Sequence, residues 1–155
     1  MTKLLAELKQ NKPFESIEDE VFINIIRTAE VFNRKLAEFL RSFELTSSQF
    51  NVLRILRGAE PDGLICREIG ERMIAFDPDV TKLLDRLEAR DLIARERQQK
   101  DRRVITVRIS EEGLKLLKEI DLPILDFVNN LLSHMSETKL RMLSELAEEA
   151  REKLT

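Results

Sequence analysis

The apolar spacing of this chain changes period around Leu92, and that change limits the folds open to it. Between Asp77 and Arg90, the residues Val80, Leu83, Leu84 and Leu87 recur at the spacing of a helix face. From Val104 to Ile109 the spacing falls to two, with Ile105, Val107 and Ile109 on one side. Leu92 to Arg97 is a shorter, mixed strand segment, and Gln98 to Arg103 joins the two as a polar hairpin loop. The loop ends in Asp101-Arg102-Arg103. Core burial does not explain three adjacent charges, so they face solvent or a partner. Paired arginines suit phosphate or a narrow, negatively charged groove. Asp101 can hold one guanidinium in a fixed direction through a charge-assisted hydrogen bond.

The rest of the chain reads as helix. A short apolar stripe, Leu4, Leu5 and Leu8, ends at Asn11-Lys12-Pro13 and is too short to stand alone. It is expected to pack on something else, such as a partner subunit. Ser16 opens a long helix to about Ser42, with acidic residues in its first turn. Thr46-Ser47-Ser48-Gln49 has the form of a capping box and starts a second helix with Phe50, Leu53 and Leu56 inward. Pro61-Asp62-Gly63 is a turn signal, after which Leu64 to Met73 reads as a third helix. Asp77 is expected as N-cap of the fourth, with Pro78 at its first position. Ser110 and Ser136 cap two further helices, and Pro123 is expected to bend or reset the first of them. The order is four helices, two strands and two helices.

With 155 residues, 43% of them apolar, the chain can bury the core of one domain. No apolar run approaches a membrane span. Glu7 interrupts any signal-peptide core, and a single Cys fits a reducing compartment, so a cytoplasmic location is expected. The net charge of −3 hides an uneven distribution. From Thr81 to Ile109 nine basic residues face five acidic ones, a segment charge of +4, which leaves −7 for the remainder. A basic module in an acidic body is the footprint of a nucleic-acid binder, although a chain with 35% charged residues also carries charge as ordinary solvated surface. Five phenylalanines between Phe14 and Phe43 give the first long helix more apolar surface than one small domain needs. Pairing with a second copy accounts for that surface, and so does packing of the terminal helices on their own domain.

No catalytic set appears. Cys66 and His134 are far apart in the expected fold, and neither a nucleophile elbow nor a phosphate-cradling glycine loop is present. Cys66 stands at the expected start of the third helix, where unpaired amides and Arg67 can activate a thiol; a lone Cys also serves as a small buried hydrophobe. His134 lies at a helix end without partners at metal-ligand spacing, so neither a metal nor another cofactor is expected.

Several segments, in order, resemble the MarR family of transcriptional regulators. They are Leu45-Thr46-Ser47-Ser48-Gln49-Phe50-Asn51-Val52-Leu53, Glu68-Ile69-Gly70-Glu71-Arg72-Met73, Val80-Thr81-Lys82-Leu83-Leu84-Asp85-Arg86-Leu87-Glu88, Leu92-Ile93-Ala94-Arg95, Asp101-Arg102-Arg103 and Ile109-Ser110-Glu111-Glu112-Gly113. The resemblance implies a mainly α fold with a small two- to three-stranded β-wing. A winged helix-turn-helix over 46–109 would be flanked by dimerisation helices at 16–42 and 110–154, the whole of 1–155 forming one such domain. It implies a homodimer that acts as a repressor on a pseudo-palindromic duplex operator, often relieved by a small aromatic effector or by oxidation. The alternative is a winged helix that serves only protein interaction. The positions that match the family's DNA contacts are Thr81, Lys82 and Arg86 in the recognition helix and Asp101, Arg102 and Arg103 in the wing. Phe39, Phe43, Phe50 and Met73 are candidates for an effector pocket, with Arg41 or Arg54 as anion partner, and core packing explains the same side chains. Three positions depart from the family pattern: Asp77-Pro78-Asp79 replaces small hydroxyl residues, Asp91 replaces a frequent Gly, and Ile65 replaces a helix-capping residue.

Overall fold

The computed structural model describes residues 3–98 and 103–154. A five-residue helix, α1 (Lys3–Glu7), precedes the long α2 (Ile17–Leu40). Leu4 and Leu5 of α1 are buried within this chain itself, so their burial needs no partner subunit. Ser16 caps α2 by accepting from the Asp19 amide at 3.2 Å, and Glu18, Asp19 and Glu20 follow in the first, positive turn. A 3₁₀ turn, Arg41–Phe43, leads to α3 (Ser47–Arg57). The Thr46 hydroxyl accepts from the Gln49 amide at 3.2 Å, and Gln49 Oε1 accepts from the Thr46 amide at 3.0 Å, which completes the capping box.

The third expected helix is divided. Leu64–Ile65 forms a strand, β1, and the helix α4 begins only at Cys66 and ends at Arg72. Gly63 makes this possible. Its φ is +73° and an added Cβ would lie 2.5 Å from the Val107 carbonyl oxygen, so no side chain fits at the entry to the strand. Ile65 has no side-chain acceptor for the start of α4, but its own amide donates to Glu68 Oε2 at 3.0 Å, which retains half of a capping box.

The next helix is α5 (Val80–Glu88). Strands β2 (Ile93–Arg97) and β3 (Ile105–Ile109) then form an antiparallel hairpin, with Ile93 opposite Ile109 and Arg97 opposite Ile105. β1 adds to the other side of β3, which gives a three-stranded sheet of order β1-β3-β2. Helix α6 (Glu111–Leu132) passes through Pro123 without the expected reset, and α7 (Glu137–Arg151) follows a Ser136 cap.

The most deeply buried part of the core is Leu40, Val52, Leu53, Leu56, Ile69, Leu84, Leu87, Val107, Leu117 and Ile120, each with less than 2% of its surface exposed. It therefore draws on the end of α2, on α3, α4, α5 and β3, and on the first half of α6. Arg57 fastens α6 to α3, with Nη1 donating to both carboxylate oxygens of Asp121 at 2.9 Å. In contrast, α7 buries no residue, and α2 buries only Leu40.

Candidate nucleic-acid interface

Helix α5 is amphipathic because Leu83, Leu84 and Leu87 turn inward and leave the opposite side to polar residues. Thr81, Lys82, Asp85 and Arg86 are all exposed. Lys82 and Arg86 are four apart and share one face. The cap differs from the expectation at Asp77. Asp79 caps the helix, its Oδ1 accepting from the Lys82 amide at 3.0 Å, while Asp77 Oδ1 accepts from the Asp79 amide at 2.9 Å. Two aspartates two residues apart each have a capping side chain; Asp77 is used for an Asx turn to the Asp79 amide, and Asp79, three residues before the Lys82 amide, takes the cap. Pro78 therefore precedes the helix rather than starting it. One oxygen of the Asp79 carboxylate is engaged by its own helix.

The chain turns from α5 into the wing at Asp91, whose φ of +57° lies in the left-handed region that favours Gly. The wing hairpin is closed near its tip by the Gln98 amide donating to the Val104 carbonyl at 3.0 Å and by Gln98 Nε2 donating to Thr106 Oγ1 at 3.0 Å. Arg103 is exposed at the base of the tip. Asp101 and Arg102 lie outside the described residues.

One further cation of this region contacts α5 from the sheet. Arg95, on β2, reaches across to α5. Its Nη1 donates to Asp85 Oδ1 at 2.6 Å and to Glu88 Oε2 at 3.2 Å, and its Nη2 donates to the Thr81 carbonyl at 3.2 Å. The signal available in the sequence was parity: Arg95 shares the strand face of buried Ile93 and so points back at the helix.

The remaining candidates are separated by the fold. Cys66 is half-buried, and its Sγ lies 3.8 Å from Thr81 Oγ1, where α4 meets α5. His134 is exposed in the turn between α6 and α7, and no metal-binding cluster occurs among the described residues. An apolar cavity of about 200 Å³ lies between α2, α3 and α6, lined by Leu36, Phe50, Arg54, Met73, Ile124 and Val128. Phe50 and Met73 line it, and the Arg54 guanidinium sits 5.7 Å from the centre of the Phe50 ring. Phe39 and Phe43 do not line this cavity. Phe39 packs 5.5 Å from Phe43 and stacks 4.6 Å from Phe127, centroid to centroid, because the spacing of four residues brings the two rings of the first helix region together. Arg41 lines a different hollow with Ala37, Glu44, Leu45 and Thr46.

Among the described residues no helix is long and apolar enough to cross a membrane. Residues 35–120, which contain most of the buried core, match the family model of the SarA/Rot transcriptional regulators. The HTH-type transcriptional regulator MhqR of Bacillus subtilis is 26% identical over 129 residues, covering 82% of this chain and 86% of MhqR. A MarR transcription factor from Planctomyces limnophilus superposes with a TM-score of 0.68 at 34% identity, covering 88% of this chain and 98% of that one. MepR from S. aureus, solved in complex with DNA, superposes with a TM-score of 0.74 at 23% identity, covering 84% of this chain and 96% of that one. A helix-turn-helix built on α4 and α5, a wing built on β2 and β3, and these likenesses along nearly the whole length lead to one assignment: the chain belongs to the SarA/Rot and MarR-type regulators and is a winged-helix transcriptional regulator rather than an enzyme.

Proposed function

We propose that this regulator binds a pseudo-palindromic duplex operator as a homodimer and represses transcription from it. The observation that carries the reading is the pairing of an exposed Thr81, Lys82 and Arg86 face on α5 with a basic hairpin beside it. Helix α5 would enter the major groove, where Arg86 has the reach and fork to pair with guanine O6 and N7. The wing would lie along the adjacent minor groove, Arg103 entering it, Arg102 on the flanking phosphates and Asp101 orienting Arg103. The MepR structure is of a protein with this fold on DNA and supports the reading.

The dimer would form through α2, α6 and α7, which makes 16–42 and 110–154 the association segments around a DNA-binding lobe at 46–109. Phe22 is 61% exposed, Leu125 55% and Leu146 55%, a concentration of large apolar surface that a monomer rarely presents to water. A two-fold axis between lobes then sets two half-sites about one helical turn apart. The cavity at Phe50 and Met73 would take a small aromatic acid, with Arg54 as counter-ion, and its filling would alter the relation of the lobe to α2 and α6; PcaV, a structural neighbour, was solved with its natural ligand. Titration of random and of selected duplexes in a mobility-shift assay at several salt concentrations tests the DNA reading. Salt-dependent binding with a preferred inverted repeat is expected. A protein that shifts no duplex at low salt is a winged helix of the interaction type instead. Light scattering at micromolar concentration should give twice the chain mass.

A further inference from the structure

Helix α5 has no electrostatic surplus of its own. Between Val80 and Glu88 it carries two cations, Lys82 and Arg86, and two anions, Asp85 and Glu88, and its cap is the anion Asp79. An approaching phosphate backbone would meet a neutral or negative element. The surplus is supplied from outside the helix. Arg95 of β2 places one guanidinium within 2.6 Å of Asp85 and 3.2 Å of Glu88, and its second amino group holds the Thr81 carbonyl. The Arg95 side chain is 23% exposed, whereas Asp85 is 56% exposed, so the cation sits behind the helix and the carboxylate lies toward solvent. The fork geometry matters, because one ammonium cannot span two carboxylates and a carbonyl in fixed directions.

We propose that Arg95 is a positioning residue for DNA binding, which cancels the charge of Asp85 and Glu88 from behind the helix. This deepens the DNA-binding reading and rests on it. Arg95 does not touch DNA in this arrangement; it acts through the helix. Lys82 and Arg86 then set the potential that DNA meets.

The test is a cycle of Arg95→Ala, Asp85→Asn and the double variant, with affinity for a selected duplex measured by fluorescence anisotropy and folding checked by circular dichroism. Arg95→Ala is expected to weaken binding at least tenfold, because two uncompensated anions then face the duplex. Asp85→Asn alone is expected to bind as tightly as the parent or a few-fold tighter, since it leaves Arg95 with one anion fewer to balance. The double variant is expected to recover most of what Arg95→Ala loses. Loss of a direct phosphate contact, or of a merely structural brace, would show no such recovery. Arg95→Ala within twofold of the parent, a double variant no tighter than Arg95→Ala, or weakened binding in Asp85→Asn would each overturn the proposal. If Arg95→Ala does not fold, weakened binding by Asp85→Asn still overturns the proposal. A parent protein that binds no duplex removes the DNA reading itself, an outcome distinct from all of these.

Discussion

Gly113, the third residue of α6, sets two physical effects against each other, and the structure decides between them. On helix propensity alone, Gly113→Ala should stabilise, by up to about 1 kcal/mol. The local geometry opposes this. An added Cβ would lie 2.3 Å from the Leu92 carbonyl oxygen and 2.7 Å from Ile109 Cγ1, whereas carbon and oxygen in contact sit about 3.3 Å apart or more. Something must move by about 1 Å. The obstructing oxygen cannot yield freely, because Leu92 O accepts from the Ser110 amide at 3.1 Å and the next residue pairs with Ile109 in the sheet. Overpacking of this kind costs about 1–3 kcal/mol. Loss of the Ser110 bond adds about 1 kcal/mol. After the propensity gain, Gly113→Ala should destabilise by about 1–3 kcal/mol. Gly70 is the internal control: it is also helical, but an added Cβ meets only Val80 Cγ2, at an ordinary 3.5 Å. Gly70→Ala should therefore stabilise by about 0.4–1 kcal/mol. Urea unfolding followed by circular dichroism, at one protein concentration so that association is held constant, measures both. A Gly113→Ala variant as stable as the parent would refute the reasoning, since it would mean that the junction between wing and α6 gives way without cost.

Three other outcomes are expected. Asp91→Gly should raise stability by about 0.5–1 kcal/mol in thermal melting, because Asp91 holds a left-handed φ of +57° that Gly adopts freely. Arg86→Ala should weaken operator binding by about 1–3 kcal/mol and relax preference at one base pair of each half-site in sequences selected by the variant. Arg103→Ala should weaken binding and flatten its salt dependence, and Asp101→Ala should also weaken it, although simple electrostatics predicts a gain from removing an anion; anisotropy titrations of both and of the double variant give the sign and the coupling.

The elements that announce themselves by local chemistry are the ones the sequence makes legible. Ser16, Thr46, Ser110 and Ser136 each cap the helix expected of them, because a hydroxyl three residues before a free amide needs no distant partner. β1 is different. Two residues are too few to show a period, and Leu64 and Ile65 become a strand only through Val107 and Thr106, far along the chain. Asp77 and Asp79 are a third case. Either can cap, and the choice turns on which of two local hydrogen bonds forms alongside the other, a matter of backbone geometry that residue types do not encode.

The candidate site divides along the same line. That Thr81, Lys82 and Arg86 are exposed follows from where the leucines of α5 lie, so a helical period suffices to find them. Phe39 and Phe43 fall together by the same helical spacing, but Phe127, which stacks on Phe39, comes from α6, so only the fold separates these rings from the cavity that Phe50 lines. Charge shows the difference most sharply. Summing charges along Thr81 to Ile109 finds a basic segment yet treats Arg95 and Arg86 as equivalent, each contributing +1. In the fold they are not equivalent. Arg86 faces outward with its charge available to a partner, while Arg95 is turned inward and engaged with Asp85 and Glu88. A cation so engaged contributes to binding by what it neutralises, and its partners can be found only once β2 has been laid against α5.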